Sequence, residues 1–417
     1  MIFSIKPQIF ELKCVFSYFR LKTHITLLLP VYVHSWEQRK VGDLLIERNQ
    51  QAPMSDEYPL MAFIANEGVA PKGDRYDRSA LVTDTANKLY KKTEIGDFIY
   101  SSNNLETGSI GLNKYGKACI SPVYSIFEPT GIADSDFLGR RLVRKDFINA
   151  MVKWRQGVIY GQWRIHESDF LKIEIPVPSV VEQRKIGAYL DQLDRLITLH
   201  QRKYDKLTNV KKSMLGKMFP QNGSNVPEIR FKGFTEAWEQ RKLGEIGSVS
   251  MCRRIFKEQT SENGEIPFYK IGTFGGEADA FISRELFEEY KAKYQYPKKG
   301  DILISASGSI GRTVVFTGKN EYFQDSNIVW LNHDKHLDNS FLKCFYSIVK
   351  WAGIEGSTIK RLYNDNILNT AITLPSVEEQ QKIGAYFENL DNLITLHQRE
   401  LEKLKNLKKA CLEKMFV

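Results

Sequence analysis

The sequence predicts an α+β fold in which two strand-rich domains are separated by a pair of long antiparallel coiled-coil helices, arranged as a pseudo-two-fold internal repeat. Three observations predict this architecture. The chain has 417 residues, which is more than one hydrophobic core usually serves. A long helical segment occurs twice in nearly the same sequence, and each copy follows a region of short β-type runs. The repeating unit is therefore about 200 residues long and occurs twice.

The repeat is clearest from Pro178 to Phe219 and from Pro375 to Phe416, where about two-thirds of the positions are identical. The first copy contains "LDRLITLHQRK" and the second contains "LDNLITLHQRE". A further match pairs "WEQRKVGDL" from Trp36 with "WEQRKLGEI" from Trp238. Between these two matches the sequences of the two halves diverge. The flanking segments are therefore repeated, while the residues between them differ.

Each repeated segment has the pattern of one long helix. Its apolar residues recur at alternating four- and three-residue steps, which is the seam of a coiled coil. Ser179 and Ser376, each followed three residues later by Glu182 or Glu379, predict a capping box at the helix start. The predicted seam residues are Ile186, Leu190, Leu193, Ile197 and His200 in the first helix, and Ile383, Phe387, Leu390, Ile394 and His397 in the second.

A seam of that length cannot stay in water, so we expect the two helices to bury their apolar faces against each other. An antiparallel arrangement is expected because the chain must return through a whole domain between them. We interpret His200 and His397 as a polar pair that fixes the register of the helices. A metal-binding role for these two histidines is the less favoured alternative.

The chain divides into six predicted segments. They are an atypical N-terminal segment (1–34), a first strand-rich domain (35–177), a first helix (178–219), a linker (220–237), a second strand-rich domain (238–374) and a second helix (375–417). Runs such as "GDFIYSS" and "GDILISA" predict the strands. Short helices are expected from Asp136 to Trp154 and from Asn339 to Ala352. The apolar run from Ile25 to Val33 is too short to span a membrane.

Motifs for catalysis are scarce. The stretch "GLNKYGKA" matches the spacing of a phosphate loop, but Ala118 stands where a hydroxyl must reach magnesium. His333 and His336 have no organised third ligand, so a solvated loop is favoured over a metal site. The five cysteines are scattered and form no C-x-x-C pair, which indicates a reducing cytoplasm. The formal net charge of +9 favours a polyanionic partner.

Two variable domains, each followed by a near-duplicate helix beginning "PSVEEQQKIGAYFENLDNLITLHQREL", resemble the specificity (S) subunit of type I restriction-modification systems. The stretches "WEQRKLGEIG" and "GDILISASGSIGR" are similar to that family's target recognition domains, and the resemblance covers about residues 36 to 417. It departs at the amino end, where "ITLLLPVYVHSWEQRKV" stands in the place that "VPEIRFKGFTEAWEQRKL" occupies in the second half.

The resemblance implies that each target recognition domain reads one half of a bipartite site in double-stranded DNA. Arg, Lys, Asn and Gln side chains carry the donors that such readout needs. The candidate DNA-binding residues are Ser102, Asn103, Asn104, Ser109, Gln162, Trp163 and Arg164 in the first domain, and Ser305, Ser307, Ser309, Arg312, Ser357, Thr358, Lys360 and Arg361 in the second. The helices would set the distance between the half-sites and dock two methyltransferase (M) subunits.

The resemblance also implies that the chain is a non-catalytic subunit of a type I site-specific deoxyribonuclease and adenine-N6 DNA methyltransferase complex. S-adenosylmethionine, ATP and Mg are then expected in the M and restriction (R) subunits, and no cofactor is expected in this chain. R subunits would join through the complex, in the cytoplasm and without a membrane. A tandem-domain scaffold that pairs through its coiled coil without DNA specificity is the alternative. A solitary restriction enzyme is disfavoured because no length is left for its catalytic domains.

Overall fold

The computed structural model describes residues 36–71, 88–158, 162–221, 223–354 and 360–416. The predicted N-terminal segment, 1–34, lies outside the described residues. The described residues form two compact units: unit 1 contains those up to residue 195 and those from residue 406 onward, and unit 2 contains those within 196–405. Each unit therefore contains one strand-rich region and a part of each long helix.

Unit 1 contains thirteen strands within the described residues. They are β1 (Glu37–Lys40), β2 (Leu45–Glu47), β3 (Gln51–Ala52), β4 (Ala62–Ile64), β5 (Gly68–Ala70), β6 (Tyr90–Thr93), β7 (Phe98–Tyr100), β8 (Ile110–Leu112), β9 (Ala118–Ile120), β10 (Ser125–Pro129), β11 (Gln156–Val158), β12 (Gln162–Arg164) and β13 (Glu174–Val177). The helices that begin in this unit are α1 (Val41–Leu44), α2 (Ser135–Arg141), α3 (Lys145–Val152), α4 (Glu167–Phe170) and the long α5 (Val180–Lys217).

The main sheet of unit 1 has the strand order β2-β10-β7-β8 and is antiparallel throughout. Its central strand β7 is buried at all three positions, because aromatic side chains cover it. Tyr100 stacks on Phe127 at 5.8 Å between ring centroids, and Phe127 meets Phe170 of α4 at 4.6 Å. Burial of several such rings contributes strongly to the stability of this core.

Unit 2 contains nine strands within its described residues. They are β14 (Glu239–Lys242), β15 (Gly247–Met251), β16 (Ile266–Tyr269), β17 (Phe281–Ile282), β18 (Ile302–Ser305), β19 (Thr313–Val315), β20 (Tyr322–Phe323), β21 (Ile328–His333) and β22 (Ala371–Leu374). Its α-helices are α6 (Leu243–Ile246), α7 (Arg284–Lys293), α8 (Asn339–Ile348), α9 (Asn364–Leu368) and the long α10 (Val377–Lys414), which continues into unit 1.

The two strand-rich regions share one plan. The main sheet of unit 2 has the order β15-β21-β18-β19, which matches the sheet of unit 1 strand for strand. In each unit the strand with the sequence "EQRK" pairs with the strand directly before the long helix. These pairs are β1 with β13 and β14 with β22. The Gly-Asp pairs at 96–97 and 300–301 both form turns with the glycine at positive φ. The predicted α+β fold with an internal repeat is confirmed.

The long helices contain 38 residues each and pair antiparallel, as predicted. In unit 2, His200 lies against His397 and Lys211 lies against Asp391. Residue numbers therefore increase along one helix as they decrease along the other, which is the antiparallel arrangement. In unit 1, Lys408 lies against Asp194. All ten predicted seam residues are buried or half-buried.

Each strand-rich region is fixed to its helix by a glutamine that occurs in both copies of the repeat. The amide oxygen of Gln183 accepts from the backbone N–H of Asp134, and its nitrogen donates to the carbonyl of Pro178. Gln380 makes the same bonds to Asp338 and Pro375. Both glutamines are about 1% exposed. Their polar atoms are therefore satisfied inside the protein, which is the condition for burying an amide.

Two local predictions need correction. The helix expected from Asp136 to Trp154 is two helices, α2 and α3, because the chain turns at residues 142–144 so that both Phe137 and Phe147 become buried. The serine half of each capping box forms, with Ser179 and Ser376 accepting from the N–H three residues on. The carboxylate of Glu379, however, forms a two-bond ion pair with Arg230 of the linker.

Candidate nucleic-acid interface

In unit 1 the loop after β7 meets the β11–β12 hairpin. Ser102 Oγ accepts from the backbone N–H of Ile165 at 3.0 Å, and Asn103 Oδ1 accepts from the N–H of Trp163 at 2.6 Å. The loop is closed on itself by the bond from Ser101 N to Ser109 O at 2.8 Å. The structure thus brings together the two polar segments that the sequence placed 60 residues apart.

Arg155 fastens this junction. Its guanidinium donates to the Ser102 carbonyl at 3.2 Å and to the Glu106 carboxylate at 3.1 Å. The same group lies 5.8 Å from the ring centroid of Trp163. A planar guanidinium can serve several partners at fixed angles, so Arg155 sets the loop and the hairpin in one arrangement. Trp163 itself is 48% exposed.

In unit 2 the loop after β18 pairs with the segment before α9. Ser307 and Arg361 form an isolated antiparallel bridge. On either side of it, Gly308 N donates to Lys360 O at 3.1 Å and Leu362 N donates to Ala306 O at 2.8 Å. These bonds satisfy the backbone groups at the junction, and the side chains of Lys360 and Arg361 are exposed.

A concave surface, here called the mixed cleft, lies beside this junction. Six of its lining residues supply donors, acceptors and an aromatic ring: Arg254, Phe256, Lys257, Gln324, Asn327 and Arg361. Asp325 also lines it and holds Arg254 Nε at 2.6 Å. Phe256 is 56% exposed. Polar groups of both signs beside an apolar ring are the components that base-edge readout uses.

The structure separates the predicted DNA-binding residues into exposed and interior ones. Asn103, Asn104, Trp163, Arg164, Ser309, Arg312, Lys360 and Arg361 are exposed, and Ser102 is half-buried. Gln162 lies in β12, and Ser357 and Thr358 lie outside the described residues.

Three serines of the prediction lie in the interior, so the expectation that their hydroxyls line the surface needs correction. Ser109, Ser305 and Ser307 are at most 8% exposed. Ser305 Oγ accepts from Arg312 N at 2.9 Å, and Ser307 Oγ donates to Asn327 Oδ1 at 2.6 Å. The Ser305 hydroxyl therefore stabilises its own turn, while the Ser307 hydroxyl ties this loop to the segment that contains Asn327.

Sequence reasoning missed Arg155, Arg254, Phe256 and Lys257. The last three belong to the run "CRRIFKEQ", in which basic residues alternate with an aromatic one, and this pattern was available as a signal. Arg155 gave no such signal, because its role depends on contacts with residues up to 53 positions away.

At the motifs set aside earlier, several polar groups bond within the protein. In the stretch "GLNKYGKA", Asn113 Oδ1 accepts from the N–H groups of Tyr115 and Gly116, so these donors are not directed at a phosphate. His333 Nε2 bonds to Asn339 and His336 Nδ1 bonds to Asp334. Among the described residues, no three His, Cys, Asp or Glu side chains converge as metal ligands. None of the helices described is long and apolar enough to cross a bilayer.

Two segments of the chain, residues 34–209 and 235–406, match the family described as the type I restriction modification DNA specificity domain. The chain belongs to this family. Each matched segment contains one strand-rich region and most of the long helix after it, so the family unit and the internal repeat coincide. The resemblance drawn from the repeated helix is confirmed, and the chain is a type I specificity subunit.

Named relatives agree with this assignment. A putative type I restriction enzyme specificity subunit of Haemophilus influenzae is 60% identical over 158 residues, which span 37% of this chain and 41% of that protein. The MjaVIII specificity subunit of Methanocaldococcus jannaschii is 23% identical over 403 residues, which cover 90% of each chain. The crystal structure of the S subunit from M. genitalium covers 93% of this chain and 98% of its own, with a TM-score of 0.57 and 15% identity. That structure shares the fold.

Proposed function

We propose that this specificity subunit directs a type I restriction-modification complex to a bipartite DNA sequence, with each strand-rich domain binding one half. The observation that carries the proposal is the presence of two family-matched units whose main sheets agree strand for strand while their surface loops differ. Equivalent frames with different loops suit a protein that must read two different half-sites.

In the second strand-rich domain, here called domain 2, the reading surface is the mixed cleft together with the exposed side chains at the junction of Ser307 and Arg361. Arg361 lines the cleft and is exposed, and Asn327 is oriented by the Ser307 hydroxyl. An arginine on guanine and an amide on adenine are the pairings that major-groove readout favours. In the first strand-rich domain, here called domain 1, the corresponding surface contains Asn103, Trp163 and Arg164.

The long helices would set the half-site spacing, since a helix of 38 residues extends about 55 Å. We further propose that the outer faces of these helices dock two M subunits. Methyl transfer from S-adenosylmethionine, and ATP- and Mg-dependent cleavage, would then belong to the M and R subunits. This chain contributes the recognition of DNA.

The proposal is tested by co-expressing the chain with the M subunit of its locus and mapping N6-methyladenine in host DNA by single-molecule sequencing. The expected result is a bipartite motif with a fixed gap. Exchange of residues 41–175 for those of another specificity subunit should change one half of the motif only. A stable complex that methylates no motif would contradict the proposal and favour a scaffold without DNA specificity.

A single residue sharpens the test. Arg361→Ala should weaken binding of the cognate duplex by about 1–3 kcal/mol and relax the motif at one position of its half-site. Arg284→Ala is the matched control, since Arg284 is equally charged and exposed in the same unit but pairs with Glu265 outside the cleft. Equal behaviour of the two variants would remove Arg361 from the reading surface.

A further inference from the structure

A second concave surface on unit 2 is lined by lysines. This lysine cleft contains Lys291 and Lys293 from the end of α7, and Lys298 and Lys299 from the turn before β18. The other lining residues include Tyr294, Tyr296 and Gly318, and the described residues that line the cleft include no Asp or Glu. Four cationic side chains therefore share one concavity whose described lining is free of carboxylates.

Contacts within the unit hold two of these lysine side chains, Lys291 and Lys299, in place. Lys291 Nζ lies 5.0 Å from the ring centroid of Phe287 and 5.4 Å from that of Tyr296, and such rings favour a cation over their faces. The stem of Lys299 lies against Gly318, where an added Cβ would lie 3.2 Å from the lysine Cβ. Gly318 also has a φ of +84°, which favours glycine.

Among the residues that the structure describes, one of the four lysines forms an ion pair. Lys293 pairs with Glu289 at 2.9 Å. At the turn itself, the Asp301 carboxylate accepts from the backbone N–H of Lys298. Within the described part of the chain, the Lys291, Lys298 and Lys299 side chains form no ion pair with a carboxylate. Like charges gathered in a concavity raise the local potential and attract an anion.

The lysine cleft and the mixed cleft are linked through two adjacent residues, Arg253 and Arg254. The guanidinium of Arg253 lies 5.2 Å from the ring centroid of Tyr294, and Tyr294 lines the lysine cleft. The next residue in the chain, Arg254, lines the mixed cleft together with Arg361. Both clefts therefore belong to the same unit and are connected through one short segment of the chain.

We propose that the lysine cleft binds backbone phosphates of the duplex whose bases meet the mixed cleft. The proposal rests on the function proposed above and deepens it, because it assigns sequence-independent affinity and sequence readout to separate residues. A duplex carries one phosphate for every 3.4 Å of each strand, so two or more lysines can be engaged at once. Such contacts position the protein and carry no sequence information of their own.

The test uses the double substitution Lys298→Gln/Lys299→Gln, which removes charge and keeps most of each stem. Lys232→Gln/Lys335→Gln is the control, since it removes the same charge from exposed positions of the same unit outside both clefts. The full chain, in complex with its M subunit, is titrated with a duplex that carries the mapped motif, over a range of salt concentrations. A scrambled duplex of equal length is titrated in parallel.

Each phosphate contact contributes about 0.9 to the slope of log affinity against log salt. The cleft variant should lose up to about 1.8 of that slope on both duplexes and leave the methylation motif unchanged, while the control keeps the parental slope. A cleft variant with the slope of the control would overturn the proposal. If the parent complex binds the motif duplex and the scrambled duplex with equal affinity, the proposed function fails. This outcome is distinct from a change in the salt dependence of the affinity. Circular dichroism and thermal midpoints verify that both variants are folded.

Discussion

His200 and His397 are counterparts in the internal repeat, 197 residues apart, and their Nδ1 atoms lie 3.0 Å apart. One nitrogen must donate and the other must accept, so the bond requires at least one neutral ring. Burial lowers the pKa of both histidines, and the nearby Lys203 lowers it further while Glu400 opposes the shift. The polar pair predicted to fix the helix register is therefore a contact between one residue and its own repeat.

This pair predicts a pH dependence with a definite sign. A histidine whose folded pKa is depressed contributes stability that is present above its unfolded value of 6.5 and is lost as the pH falls through the folded value. The double substitution His200→Asn/His397→Asn should flatten the fall of the thermal midpoint between about pH 7 and pH 5. His336→Asn, at an exposed histidine, is the control. An unchanged pH profile in the double variant would contradict the prediction.

A second prediction concerns the ion pairs that flank the histidines. Asp391 pairs with Lys211, and its repeat counterpart Asp194 pairs with Lys408. Asp391→Asn should lower the free energy of unfolding by about 1 kcal/mol, since the pair is partly exposed. Glu388→Gln, at an exposed carboxylate on the same helix, should cost less. Chemical denaturation of the full chain measures both, and equal losses would count against a role for the pair.

The pH response of Asp194 is separate from that of the histidines. Burial alone would raise its pKa, but Lys408 and Arg140 lower it below the ordinary 3.8. Its stabilising contribution is thus present above about pH 3.8 and is lost only as the pH falls through the lower folded value. Asp194→Asn should therefore leave the profile between pH 5 and pH 7 unchanged in shape.

The buried glutamines provide a third prediction. Gln380→Ala leaves the N–H of Asp338 and the carbonyls of Pro375 and His336 without their partner. Each buried polar group left unsatisfied costs about 1–3 kcal/mol, so the free energy of unfolding should fall by about 2 kcal/mol or more. The neighbour Gln381 is exposed, and Gln381→Ala is the matched control. The docking role of Gln380 is refuted if both variants unfold at the same denaturant concentration.

A fourth prediction concerns Arg155 as a positioning residue. Arg155→Ala should separate the Ser102 loop from the Trp163 hairpin and relax the motif in the half-site read by domain 1, with the other half unchanged. Arg155→Lys should recover little, because an ammonium cannot reproduce the fork of the guanidinium. Motif mapping of the co-expressed complex measures this, with Lys153→Ala at a neighbouring exposed position as the control. A motif altered in both halves would indicate general misfolding.

The sequence by itself determined the repeat, the long helices and their seam, because a 3.5-residue period depends on neighbours within one helix turn. It also indicated which polar segments are exposed, since Asn103, Trp163, Arg312 and Arg361 are all at the surface. The same local pattern could not separate Ser309, which is exposed, from Ser305 and Ser307, which are interior.

Tertiary structure alone decided which of these segments meet. The bridge of Ser307 with Arg361, the fastening of Ser102 by Arg155 and the burial of Gln380 each join residues more than 40 positions apart. Such contacts follow from how the sheet and helices pack, and no periodicity along the chain encodes them. The mixed cleft exists for the same reason, since its walls come from residues within 254–262, 268–280 and 324–327 together with Arg361.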